Sequence, residues 1–241
     1  MTTTIEESAT TFLSSTDQAY AECANGISNL DKIIVSVSSR FSGMTRGYLL
    51  PIIYAYWERF FRTVFAEYLR CVELMRADLN AIHPNLAQFR LRRELNEILK
   101  RHSIKQLQEI SSTLDIEQAK AFCENLADFF KLPIVFADST NWIETESNVN
   151  FTVLESNCKN FGIDIESIKN RLAESKITLY SALKQLVDVR NQISHGETFK
   201  DIDQDEWETL KNFTLTVMTT VQLELFETLR NGRCLKIDPS A

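Results

Sequence analysis

Residues 51–72 read PIIYAYWERFFRTVFAEYLRCV, and within them Ile53, Tyr54, Trp57, Phe60, Phe61, Val64, Phe65, Tyr68, Leu69 and Val72 recur at spacings of three and four. That period belongs to an α-helix, and the breadth of the apolar stripe predicts a central helix of about six turns, with Pro51 tolerated in its first turn. Gly47 and Pro51 read as its opening, and Ser42-Gly43 as the end of a preceding helix built on Ile27, Leu30, Ile33, Ile34, Val37 and Phe41. Downstream, His83-Pro84 breaks the pattern and Leu86 to Leu107 resumes it. Residues 117–130 predict a further amphipathic helix, Leu132 to Ala137 a short strand, and Asp138 to Asn150 a surface connection. Helices then follow at Phe151 to Phe161, Ile165 to Ala173, Thr178 to Ile193 and Trp207 to Leu229. Asp203, Asp205 and Glu206 suit the positive end of the last one. Residues 1–22, rich in Thr, Ser and Glu, read as a mobile arm or a weakly docked helix.

Composition agrees with an all-α class. The 241 residues are 44% hydrophobic and 24% charged with 6 Gly and 4 Pro, which argues against disorder and leaves little punctuation for many short strands. The balance of 26 basic to 33 acidic side chains, net -7, disfavours sequence-independent coating of nucleic acid, so any such contact has to be local. Five cysteines without C-x-x-C spacing fit reduced core thiols of a cytoplasmic protein better than a disulfide framework or a zinc site. No apolar run approaches the ~20 residues of a spanning helix, and Met1 to Thr11 is too polar for a signal peptide. Neither a metal nor an organic cofactor is expected, because His83, His102 and His195 share no ligand spacing.

Chemistry concentrates in Leu186-Val187-Asp188-Val189-Arg190-Asn191-Gln192-Ile193-Ser194-His195-Gly196, where an apolar helix ends in polar residues. Helical spacing pairs Arg190 with Ser194 and Asn191 with His195 on one edge. The dipole favours a protonated imidazole there, and Asn191 is placed to hold it, a plausible proton-transfer arrangement. Spacing alone equally fits a C-terminal cap at His195 beside a solvated Arg190.

Arg190-Asn191-Gln192-Ile193-Ser194-His195 resembles the R-N-x-x-x-H motif of the HEPN superfamily, all-helical proteins that include many metal-independent ribonucleases. A second block, Tyr54-Ala55-Tyr56-Trp57-Glu58 after Gly47-Tyr48-Leu49-Leu50, resembles the Y-x-x-W-E signature of the prokaryotic RiboL-PSP-type branch. Glu146-Ser147-Asn148-Val149 with Phe161-Gly162-Ile163-Asp164 is similar to that branch's connection before the motif helix. The likeness covers about residues 25–110 and 145–230, so residues 1–241 are expected to form one HEPN-like antiparallel bundle with extra helices, residues 111–145 being a family-specific insertion. Glu197 stands where some of the family's toxins carry a modifiable Tyr, a departure that speaks against that mode of silencing.

What the resemblance implies is a homodimeric endoribonuclease of the toxin or antiphage-defence type, with RNA as substrate and a cognate antitoxin or defence protein as partner. Two copies of Arg190, Asn191 and His195 would line one cleft, supported by Ser194 and by Glu58. Glu58 is open to three roles: orienting Arg190, capping a buried Tyr, or sitting at the rim. Arg90, Arg92, Arg93, Lys100, Arg101 and Lys105, against only Glu94 and Glu97, form either a phosphate track or a solvated face. The alternatives are a non-catalytic HEPN module that binds RNA or protein, and a regulatory partner using the acidic stretch 201–230, where seven acidic residues face Lys211 and Arg230.

Overall fold

In the computed structural model of the chain, residues 4–101, 131, 134–136, 138–145, 148–175, 177–194 and 201–236 are described, with helix side chains other than those of 94–101, 182 and 194. They form seven α-helices: α1 Ile5–Ser36, α2 Ser42–Leu74, α3 Pro84–Arg101, α4 Phe151–Phe161, α5 Ile165–Glu174, α6 Leu179–Ser194 and α7 Gln204–Arg230. The all-α class holds. No described helix is long and apolar enough to cross a membrane.

Helix α2 is the axis. It packs on α1, α6 and α7, and its predicted stripe from Ile53 to Val72 is buried. Along it Trp57, Phe61 and Phe65 stack at 5.6 and 4.6 Å between ring centroids, and the series passes through Phe161 of α4 to Phe89 of α3. Polar tips of these rings find backbone partners: Trp57 Nε1 donates to the Val149 carbonyl at 2.9 Å and the Tyr68 hydroxyl to that of Phe161 at 3.1 Å. Aromatic burial is thereby achieved without orphaned donors.

Four sequence expectations change. The N-terminal segment is no loose arm: a capping box of Thr4 and Glu7 starts α1, and Ser8, Ala9, Phe12 and Thr16 are buried. Gln222 of α7 donates to Thr16 and Asp17, so polar groups dock the segment where apolar periodicity is silent. Ser42-Gly43 begins α2 instead of ending α1, which stops at Ser36, and Pro51 lies inside the helix. Ile134 to Phe136 alternates buried and exposed side chains but pairs with no strand among the described residues; Ile134 N donates to Ala77 O and Phe136 N to Glu73 Oε2. Among the described residues the one β pairing is an isolated bridge between Ile82 and Leu235. The connection at 138–150 is partly interior, with Trp142, Ile143 and Val149 buried and Asn157 of α4 clamping both backbone groups of Glu144. The helix expected at 117–130 and most of the expected insertion lie outside the described residues.

Helix α7 closes the bundle on α1 and α2. Asp31 of α1 accepts from Trp207 Nε1 at 2.8 Å and Lys211 Nζ at 2.6 Å. Further along, the fully buried Glu224 accepts from Ser167 of α5 at 2.6 Å and faces Arg233 at 2.9 Å and Arg171 at 3.8 Å. Cys23, Cys71, Cys158 and Cys234 are buried free thiols, as the sequence suggests.

Candidate active site at the end of α6

The apolar face of α6, Leu179, Leu183, Leu186, Val187 and Val189, is buried against the bundle, and that registration fixes where its last turn points. It brings Arg190 over Tyr54 of α2, guanidinium carbon 5.5 Å from the ring centroid. Arg190 Nη1 also donates to Asn191 Oδ1 at 3.0 Å. A planar cation set on a ring and tied to a neighbouring carboxamide is held in orientation, while its half-exposed surface remains open to an anion.

Tyr54 is itself held at its hydroxyl, which accepts the buried Val149 N–H at 2.6 Å, with the Glu58 carboxylate one helical turn further along α2. Burial pushes the phenol up to about 12, the Val149 N–H opposing and Glu58 adding to the rise. Glu58 in turn pairs with Arg62 at 2.9 Å, and Arg62 reaches Thr145 Oγ1 at the same distance. Glu58 is partly exposed, and the ion pair it makes is with Arg62 rather than with Arg190.

Sequence reasoning placed Tyr54 in a signature but gave it no role, because an aromatic stripe reads first as core. The available signal was the four-residue spacing of Tyr54 and Glu58 on one helix face. His195 and the Ser194 side chain lie outside the described residues. The α6 helix ends at Ser194, and Ile202 docks on the start of α2, its N–H on Gly43 O and its carbonyl on Arg46 Nη1.

The basic segment divides. Arg90 and Arg93 lie over the Trp142 ring at 4.8 and 4.4 Å, so their guanidinium faces are turned to the indole. Arg92 lines a 270 Å³ cavity with Asn85, Gln88, Ser156 and Lys159 and stands 3.9 Å from Glu144. The side chains of Lys100 and Arg101, and Lys105 entirely, lie outside the described residues. The acidic stretch is largely committed inside the fold: Asp203 caps α7, Glu208 pairs with Lys211, Glu224 is buried and Glu227 pairs with Arg171. Met44, Tyr48 and Ile52, four residues apart, run down one exposed face of α2. Among the described residues no cluster of His, Cys, Asp and Glu is arranged to hold a metal ion.

Comparison with models of protein families matches residues 19–225 to RiboL-PSP-HEPN. No curated protein and no solved structure matches the chain at a significant level. The family match takes in α2 and the whole of α6, and the family points to an RNA-related function. With the helical bundle and the Arg190–Asn191 pair at the end of α6, this establishes the chain as a member of the RiboL-PSP-HEPN family.

Proposed function

We propose that the chain is a metal-independent endoribonuclease acting as a homodimer, in which two copies of Arg190, Asn191 and His195 form one cleft. The ribose 2′-OH attacks the adjacent phosphorus, forming the 2′-O–P bond as the bond to the 5′-oxygen breaks. One His195 takes the 2′-OH proton, the other gives a proton to the departing 5′-oxygen, and the paired Arg190 side chains offset charge on the phosphoryl oxygens. Products are a 2′,3′-cyclic phosphate and a 5′-OH. Asn191 keeps the groups aligned.

The observation that carries this reading is the arrangement of Arg190, set on Tyr54 and bonded to Asn191 at a helix end, with one side open. The exposed apolar face that Met44, Tyr48 and Ile52 form on α2 supports a second copy docking on that helix. A toxin or antiphage-defence setting, with an antitoxin or defence protein as partner, follows the sequence likeness.

The test is cleavage of single-stranded RNA in excess EDTA by the wild type and by His195→Ala. Persisting wild-type cleavage that disappears in the variant supports the proposal. Activity that needs added magnesium, or that survives His195→Ala, overturns it. RNA binding by both proteins with no cleavage by either identifies a non-catalytic module.

A further inference from the structure

Along α6, Tyr180, Lys184, Val187 and Asn191 fall on one line at intervals of four, three and four residues. Val187 is buried and forms the floor of a groove. The other wall is the start of α4, where Asn150, Phe151 and Thr152 face α6 across a cavity of 150 Å³. Tyr180 is 54% exposed and meets Phe151 edge-on at 5.7 Å. Asp188 also lines the groove, two residues before Arg190, which lies ten residues or about 15 Å along the helix from Tyr180.

Three features point to what fits here. Lys169 already covers the Phe151 ring at 5.2 Å, so the open aromatic surface is that of Tyr180. Lys184 is paired with Asp188, which leaves the groove near neutral and unsuited to holding a phosphate by charge. Asn150 uses its Oδ1 to cap α4 through Val153 N at 3.0 Å, leaving its amide N–H₂ to donate, with the Thr152 hydroxyl beside it. A ring face edged by a few polar groups suits a flat heteroaromatic ligand. The volume is below the ~300–1,000 Å³ of pockets that enclose a whole drug-sized molecule. One base fits and a folded cofactor does not.

We propose that this groove is a base-stacking subsite: one nucleobase of the RNA strand lies on Tyr180 while the strand continues along α6 to the Arg190–Asn191 end. The inference rests on the RNA-cleaving reading for its substrate class. Stacking on an aromatic side chain tolerates any base and needs an unpaired one, so the subsite selects single-stranded RNA over duplex.

The experiment uses a short 2′-O-methyl oligoribonucleotide, which lacks the nucleophile, with 2-aminopurine placed at each position in turn. Fluorescence titration with the full chain should show quenching confined to one position. Tyr180→Ala should abolish that quenching and weaken binding about 5- to 160-fold, the range that loss of one stacked base produces, whereas Tyr180→Trp should retain both. Circular dichroism checks that each variant keeps its helix content. Quenching equal at all positions, or Tyr180→Ala binding like the wild type, overturns the subsite. So does a Tyr180→Ala protein whose main defect is a lost dimer by sedimentation, since the ring would then belong to a protein interface. Because the probe cannot be cut, Tyr180-dependent binding by a chain that never cleaves RNA keeps the subsite and removes the catalytic reading; cleavage with no Tyr180 dependence does the reverse.

Discussion

The guanidinium of Arg190 rests on the ring of Tyr54, a residue 136 positions earlier in the chain, and is tied at one edge to Asn191. The hydroxyl at the other end of the ring accepts the Val149 N–H. Support of the cation and satisfaction of a buried backbone N–H are therefore separate duties of one side chain.

Substitution should separate them. Tyr54→Phe keeps the ring and strands the buried Val149 N–H, so stability should fall by about 1–3 kcal/mol while RNA cleavage is largely retained. Tyr54→Leu removes the ring as well, and kcat/KM should drop by roughly tenfold or more beyond the stability loss. Arg190→Lys should lose nearly all activity, since an ammonium has no plane to stack. Urea unfolding with cleavage assays on each variant reads both quantities.

Dimerisation should depend on the exposed face of α2. Met44→Glu with Ile52→Glu should halve the mass seen in sedimentation and remove cleavage, while circular dichroism stays that of the wild type. A double variant that remains dimeric places the second copy elsewhere.

Glu224 is buried with Arg233, Ser167 and Arg171 around it. Glu224→Ala leaves the partly buried Arg233 without its carboxylate and should cost about 3 kcal/mol or more, lowering the urea midpoint. Cleavage by the folded fraction should be unchanged, because the cluster joins α5 to α7 rather than touching Arg190.

Alkaline pH should destabilise the fold before it ionises the folded protein. Burial pushes Tyr54 from 10.0 up to about 12, and Cys71 and Cys234 from 9.0 up to about 12. For groups held above their unfolded values the unfolded chain releases protons first, so the contribution is complete below pH 9, declines from there, and is gone once pH passes about 12. Urea midpoints measured from pH 8 to 11 should fall steadily, and Tyr54→Phe should flatten the part of the slope above pH 10.

Helices α4 and α5 were legible almost to the residue, and α7 to within three residues, because side-chain caps bracket their stripes: Asn150 and Gly162 around α4, Asp164 before α5, Asp203 before α7. The first half of α1 was not, since Ser8 and Thr16 become interior only through contact with distant residues such as Gln222. Ser42-Gly43 looks like a helix end locally, yet the Gly43 carbonyl is where Ile202 docks. At the site, Arg190 and Asn191 stood out by spacing and by likeness. Tyr54 did not, because its role arises only when α6 is laid across α2.

The buried thiols offer one more use of the architecture. Cys23 belongs to α1, Cys71 to α2, Cys158 to α4 and Cys234 to the turn after α7, and burial raises all four, so almost no thiolate meets solvent at neutral pH. Alkylation then has to wait for the surrounding structure to open. Followed residue by residue by mass, the labelling rates become four clocks distributed through the bundle, reporting which parts of it breathe separately and which only together.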